Sequence, residues 1–347
     1  MLKLRSGIVE AVRGAGSGPE LHEFLQNAVK LEHSTIPPYL TALYSIKPGT
    51  NRAVAGIIRS IVVEEMLHMT IAANVLNAIG GAPEINRADF IPTYPGPLPM
   101  MADDGLKVGL EKLSKDLVRD VFMKIEQPKD PKHYPSKMLA AALPSFQTIG
   151  AFYDAIAEKI RELGDTIFVG DPARQVVNGG WFPADELFPI TNVDTAVRAL
   201  MLIKDQGEGT SDDPFEPDGE PAHYYRFEEI IRGASLVRDK ATKRISFSGA
   251  PVPFDQADVI DIVSNSRAGM YEAGSLARNG VDLANATYSK LLNALHQTFN
   301  GQSDKLDAAL GVMNEFRLVV MEKVVSVRVK GSDQFAAPAF EFVSVVN

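Results

Sequence analysis

The sequence of 347 residues contains no cysteine, which excludes disulfides, thiolate nucleophiles, cysteine-ligated zinc and iron–sulfur clusters. Any metal must therefore be held by oxygen atoms and imidazole nitrogens. The sequence also lacks a run of about 20 apolar residues that could cross a bilayer. Residues 1–18 are too polar and too interrupted for the apolar core of a signal peptide. We therefore expect a cytoplasmic protein with no membrane partner.

An excess of basic residues is missing as well. The chain has 35 Lys and Arg against 44 Asp and Glu, which gives a net charge of −9. This balance argues against salt-driven nucleic-acid binding. Glycine-rich phosphate-binding motifs and the G-x-S-x-G nucleophile motif are absent from the sequence. The remaining partner class is a small-molecule substrate, and a homo-oligomer is left open.

Hydrophobic periodicity predicts a mostly α fold. The apolar spacing and the Pro/Gly boundaries predict four long helices, at about 20–46, 52–79, 136–163 and 220–236. Pro37 and Pro38 are expected to kink or interrupt the first of them. Shorter helices are expected near 107–122, 193–204, 282–299 and 303–327, with a short strand near 243–247. We expect a helical bundle domain in 1–240 and a helical extension in 241–347 that packs on it.

Two histidines follow a glutamate by three residues, in Glu65-x-x-His68 and Glu220-x-x-His223. On a helix this spacing puts both side chains on one face, so they can converge on one metal ion. A Glu-x-x-His pair from each of two helices, with a Glu from each of two others, is the dinuclear carboxylate site of ferritin-like bundles. Glu32 lies on an apolar stripe, where an unpaired carboxylate is costly.

The third predicted helix offers Asp154 and Glu158 as the acids of its relevant stripe. They are candidates for an additional ligand or for a partner of the ligands, as is Tyr153, for which a core role is the alternative. Arg226 is expected to pair either with a ligand carboxylate or with Glu229. No catalytic residue can be assigned from the spacing alone.

Four stretches carry a resemblance to a known family. They read LQNAVKLEHSTIPPYLTALYSIK, IIRSIVVEEMLHMTIAANVLNAIGGAPEI, TIGAFYDAI and HYYRFEEI. They resemble the bacterial ferritin-like family that contains the iminophenyl-pyruvate dimer synthase domain of violacein and indolocarbazole biosynthesis. The resemblance covers roughly residues 20–240.

The resemblance implies a ferritin-like four-helix bundle with long loops, an additional C-terminal helical segment and a metal cluster. Matched residue by residue, it implies as metal ligands Glu32, Glu65, His68, Glu220 and His223. The family's third-helix motif reads T-I-G-E-F-Y, whereas this chain has Ala151 at the Glu position. The implied cofactor is iron or another divalent metal, as one or two ions, and a mononuclear and a dinuclear site both stay open.

The implied function is an oxidoreductase-type reaction on a small amino-acid-derived substrate. Two alternatives remain from the residues themselves. One is a non-catalytic scaffold in which the metal only staples the bundle, and the other is iron storage or detoxification. Storage is disfavoured by the length of the chain, because storage ferritins assemble cages from shorter subunits.

Overall fold

The computed structural model describes residues 4–5, 7–102, 105–129, 131–134, 148–177, 180–209, 213–216 and 219–344. These residues form a mostly helical fold, as the sequence predicts. A short helix that the sequence analysis did not anticipate, α1 (Ile8–Gly14), comes first. Among the described residues, no helix combines the length and the apolar character that a membrane crossing requires.

The first two long helices form where the sequence predicts them, as α2 (Gly18–Tyr44) and α3 (Arg52–Ala78). The loop between them is short, so they run back against each other. α2 continues through Pro37 and Pro38 without a break. Because Pro38 has no N–H, the carbonyl of Ser34 loses its helical donor. The Tyr94 hydroxyl, at 2.6 Å, donates to that carbonyl instead.

In the middle of the chain, the helix predicted near 107–122 begins and ends later than expected. α4 consists of three consecutive pieces, Lys115–Leu117, Val118–Phe122 and Met123–Ile125, of which the second is a π-helix. α5 spans Ile149–Leu163, and residues 136–147 of the predicted third helix lie outside the described residues.

The predicted fourth long helix over 220–236 is wrong. That segment contains the shorter α7 (His223–Arg232), whereas the long helix is α6 (Val193–Gly207). α6 is fixed at its start by a capping box between Asn192 and Thr195. α7 ends at Gly233, which has a left-handed φ of 74° that glycine adopts without strain. The residues that follow Gly233 enter a strand.

The long helices α2, α3, α5 and α6 build the bundle. α3 packs against both α2 and α6. α5 packs against α6 and against α1. α7 lies against α3, α4 and α6. The ends of α4 and α7 are thereby brought next to the central turns of α2 and α3, where the candidate site lies.

The C-terminal part packs on this bundle. Strands β1 (Ala234–Arg238) and β2 (Ile245–Pro251) form an antiparallel hairpin, close to the predicted strand. Helices α8 (Leu276–Phe299) and α9 (Leu306–Val319) follow, and a π-helical turn, Val320–Val324, extends α9. The remaining short helical turns are 3-10 turns at Ala88–Phe90, Asp165–Ile167, Pro172–Arg174, Gln256–Asp258, Ala268–Met270 and Ser303–Lys305.

One hydrophobic core contains side chains from the bundle and from α8 and α9. The hairpin spans residue 240, at which the sequence analysis divides the chain. The division into a bundle domain, 1–240, and an extension, 241–347, stays a prediction.

We predict that Gly280→Ala destabilises the packing of α8. A Cβ atom at Gly280 would lie 2.0 Å from the backbone oxygen of Lys323, so one of the two segments must move. We expect a loss of at least about 2 kcal/mol in the free energy of unfolding. The measurement is urea denaturation followed by circular dichroism.

Gly311→Ala is the matched control, because Gly311 lies in α9 and a Cβ atom there would contact nothing within 4 Å. In the control, the free energy of unfolding should be unchanged or should rise by up to about 1 kcal/mol, because alanine has a higher helix propensity than glycine. Equal stabilities of the two variants would show that α8 and the end of α9 do not approach as closely as described.

Candidate metal centre

Five buried side chains meet between α2, α3, α4 and α7. Glu32 projects from α2, and Glu65 and His68 share one face of α3 at the i, i+3 spacing. Glu126 directly follows α4, and His223 is the first residue of α7. All five are almost fully buried. Ionisable side chains reach such depth only when they are paired or coordinated.

The donor atoms of these side chains form two overlapping groups. Glu32, Glu65 and His68 make one group, and Glu65, Glu126 and His223 make the other. Within each group all donor atoms lie within 4.8 Å of one another. Glu65 belongs to both groups, so it would be a ligand whichever group held a metal ion.

Both imidazoles present the Nδ1 atom to the carboxylates. His68 Nδ1 lies 3.5 Å from Glu32, and His223 Nδ1 lies 2.9 Å from Glu65 and 3.7 Å from Glu126. The Nε2 atoms face the other way, to Gln206 and Glu64, each at 2.9 Å. A carboxylate or amide oxygen only accepts hydrogen bonds, so each Nε2 carries the proton and Nδ1 is free to bind a metal.

The orientation of His223 depends on a buried ion-pair network. Arg226 donates to both carboxylate oxygens of Glu64, through Nη1 at 2.8 Å and through Nη2. Arg226 also contacts Glu216 at 3.4 Å. Burial alone would raise the pKa of the Glu64 carboxyl, but the hydrogen bond from His223 and the pairing with Arg226 depress it well below its usual range. Arg226 therefore pairs with Glu64, and not with a carboxylate of the cluster or with Glu229.

Three hydroxyl groups fix the carboxylates of the cluster. Thr35 donates to Glu65 at 2.8 Å, Tyr39 donates to Glu126, and Tyr153 donates to Glu32. Each carboxylate therefore has one oxygen held by a hydroxyl group. This is the arrangement of outer partners that orients metal-binding carboxylates.

The cluster carries an excess of negative charge. Burial raises the pKa of Glu65 to about 7, and the neighbouring charge of Glu126 adds to the shift. Burial alone would lower the pKa of His223, but the surrounding carboxylates raise it well above its usual range. The site therefore demands positive charge, which an imidazolium supplies in the absence of a metal and a divalent cation supplies when one binds.

Two of the cavities in the described structure lie beside the cluster. The inner one, about 20 Å³, is lined by Glu32, Glu65, His68 and Glu126, and has room for about one water or ion. The outer chamber, about 480 Å³, shares Gly150, Lys204 and Glu208 with it. A Cβ atom at Gly150 would meet a Glu208 oxygen at 2.5 Å, so the glycine allows Glu208 to pack against the start of α5.

The structure does not bring Glu220 to the cluster. Glu220 is exposed and precedes α7 in an extended segment, where Pro221 forms a β-bridge with Phe215. The Glu-x-x-His spacing puts two side chains on one face only within a helix. Here the helix begins at His223, so Glu220 points elsewhere.

Two further candidates lie away from the cluster. Asp154 pairs with Lys204 at 2.8 Å, and Glu158 pairs with Arg13 at 3.2 Å. Both acids line the outer chamber, as does Ala151, at which the resemblance places a glutamate. Tyr153, the third candidate, is in contact with Glu32 as described above.

Sequence reasoning missed Glu126, Gln206 and Glu208. Glu126 stands four residues after Phe122 and eight after Val118, both buried, so it lies on the apolar stripe of α4. A carboxylate on an apolar stripe was the signal that identified Glu32, and it was available here too. Gln206 and Glu208 carried no comparable signal, because they stand at the end of α6 beside a glycine-rich stretch.

We predict that Glu64→Gln weakens metal binding although Glu64 is not in either donor group. The amide keeps the shape of the side chain but loses the charge that holds Arg226 and His223. We expect the dissociation constant for Mn²⁺, measured by titration calorimetry, to rise by roughly ten- to a hundredfold. Glu23→Gln, an exposed glutamate of α2, is the control and should leave it unchanged. Equal affinities of the two variants would contradict the role of Glu64.

Comparison with known proteins agrees with this fold. The family model described as Ferritin-like matches residues 25–232. A solved ferritin-like protein from Caulobacter vibrioides superimposes with a TM-score of 0.59 at 24% identity, over 87% of this chain and 94% of that chain. No curated protein sequence matches this chain closely enough to count as a relative. With its bundle and its carboxylate and histidine groups, the chain belongs to the ferritin-like family.

Proposed function

We propose that the chain binds one or two divalent metal ions, iron foremost, and uses them as an oxidoreductase-type enzyme on a small amino-acid-derived substrate. The observation that carries the proposal is the shared Glu65, at which two groups of carboxylate and imidazole donors meet. The donor chemistry is that of iron, manganese and zinc sites, without thiolates.

The residues fit a metal better than a purely hydrogen-bonded cluster. In the imidazole whose proton is on Nε2, the buried His223 Nδ1 has no hydrogen-bond partner and faces two carboxylates that can only accept. Buried polar atoms without a partner are rare and need an explanation. A metal ion in front of Nδ1 would satisfy it and would neutralise the carboxylates at the same time.

The ligands would be Glu32, Glu65, His68, Glu126 and His223. A metal bound to them would supply Lewis-acid and one-electron redox chemistry. The other residues would act on the ligands and the substrate. Tyr39 and Tyr153 hold two carboxylates in place, and the apolar neighbours Leu31, Ile125 and Ile203 limit the entry of water.

The outer chamber supports a small organic substrate. Its volume of about 480 Å³ is within the range of small-molecule sites. It carries both signs of charge, in the Lys204–Asp154 and Arg13–Glu158 pairs. Such a lining suits a molecule with both a cationic and an anionic group. The amino-acid-derived class and the similarity to iminophenyl-pyruvate dimer synthase rest on the sequence resemblance.

We predict opposite outcomes for Glu126→Gln and Glu220→Gln. Glu126 lies in the donor group with His223, whereas Glu220 is exposed. Glu126→Gln should lower the bound iron or manganese, measured by elemental analysis of protein purified without chelator, by at least about half for a two-ion site. Glu220→Gln should retain as much bound metal as the wild type.

If Glu220→Gln lost metal and Glu126→Gln kept it, Glu220 would be the ligand, as expected from the sequence, and Glu126 would not. Bound metal far above two ions per chain, in a large closed assembly, would favour the storage alternative. A wild-type protein that never retains metal would overturn the proposal.

A further prediction separates catalysis from a stapling role. The Fe²⁺-loaded wild type should consume dioxygen faster with at least one member of a panel of amino acids and 2-oxo acids than without it. Glu126→Gln should lose about 100-fold or more of this rate per bound metal ion, because the metal would lose one of its ligands. The measurement uses an oxygen electrode under matched metal loading.

Glu220→Gln serves as the active control. If wild type and Glu126→Gln consume oxygen equally, while chelation lowers the melting temperature of the wild type alone, the metal is a structural staple and the enzyme proposal is wrong.

A further inference from the structure

A third cavity lies on a different face of α2 and α3 from the metal centre. It is bounded by α8 and α9 and has a volume of about 80 Å³. Its wall is formed largely by Leu, Ile, Met and Phe side chains. On α2 the wall includes His33 and Ile36, whereas Glu32 and Thr35 face the metal cavity. The two cavities are therefore separate, because they share no lining residue.

The cavity contains a polar pair within its apolar wall. His33 and Tyr288 both line it, and His33 Nε2 lies 2.6 Å from the Tyr288 hydroxyl. That hydrogen bond uses one proton. If the hydroxyl donates it, its oxygen retains a lone pair that can accept, and if the imidazole donates it, the hydroxyl proton remains available. In either case Tyr288 can form one more hydrogen bond.

The wall is adaptable in size. Three unbranched methionines, Met66, Met69 and Met313, contribute to it, and methionine readily shifts to fit the shape of a ligand. An apolar cavity of about 150 Å³ stays dry and binds benzene. The present cavity is smaller, so a six-membered ring needs a displacement of these side chains, and Leu295 and Leu310 at its edge are only partly buried.

The segment around Trp181 closes one side. Phe182 lines the cavity, and the indole of its neighbour Trp181 donates to Asp307 of α9 at 2.6 Å. Trp181 is the single tryptophan of the chain. Its fluorescence therefore reports on the contact between this segment and α9.

We propose that this cavity is a binding site for one small, mostly apolar ring that carries a single hydroxyl group, with Tyr288 as its hydrogen-bond partner. The apolar wall excludes charged molecules because their desolvation would be uncompensated. The size excludes anything much larger than one ring. The site is distinct from that of the proposed reaction, because it shares no lining residue with the metal cavity.

The test uses phenol as the probe and toluene as the same ring without a hydroxyl. Each is titrated into the full-length protein by calorimetry, and Trp181 emission is followed in parallel. The expected result is saturable binding at one site per chain, tighter for phenol. Tyr288→Phe should weaken the binding of phenol by roughly three- to tenfold, as expected for one neutral hydrogen bond. The affinity for toluene should be nearly unchanged.

Met313→Trp fills the cavity and should abolish saturable binding of both probes in the calorimetric titration, which a second tryptophan does not disturb. Met270→Trp is its control, because Met270 is exposed and lies outside the cavity. Circular dichroism establishes that each variant is folded. The proposal would be wrong if the wild type showed no saturable binding, or if Met313→Trp and Met270→Trp bound the probes equally. The cavity would then be only a packing void. Equal effects of Tyr288→Phe on phenol and toluene would overturn the role of its hydroxyl.

Discussion

The burial of several carboxylates beside two imidazoles is the constraint on which the rest of this structure depends. Glu32, Glu65 and Glu126 cannot all be ionised in an apolar interior unless positive charge lies among them. The raised pKa values of Glu65 and His223 express that demand. The helices that carry these residues share one hydrophobic core, which encloses the cluster.

The surrounding residues fix the orientation of the side chains in the cluster. Each carboxylate of the cluster is held by a hydroxyl group from a neighbouring turn or helix. Each imidazole is oriented through its Nε2 atom, His223 by Glu64 and His68 by Gln206. Arg226 supplies the charge that keeps Glu64 ionised. Because these partners come from different elements, the geometry of the cluster reports on the packing of the whole bundle.

α2 and α3 border two enclosed spaces at once. One face of each helix carries the cluster, and a neighbouring face forms part of the wall of the apolar cavity beside α8 and α9. This agrees with the burial of residues 31–42 of α2 and 67–78 of α3, whereas the first turns of both helices keep exposed residues such as Glu23 and Arg59. The C-terminal helices thus complete the burial of the bundle and create a second enclosed space.

The sequence by itself determined the helical class, the two long helices α2 and α3, and the placement of Glu65 and His68 on one helix face, because these features depend on the local period of a helix. The place of Glu32 beside them was implied by the family resemblance. The tertiary structure decided the rest of the site. It selected Glu126 in place of Glu220, because α7 begins only at His223 and α4 ends beside it. Which distant segment fills a position next to a helix depends on packing between elements, and local periodicity carries no record of that packing.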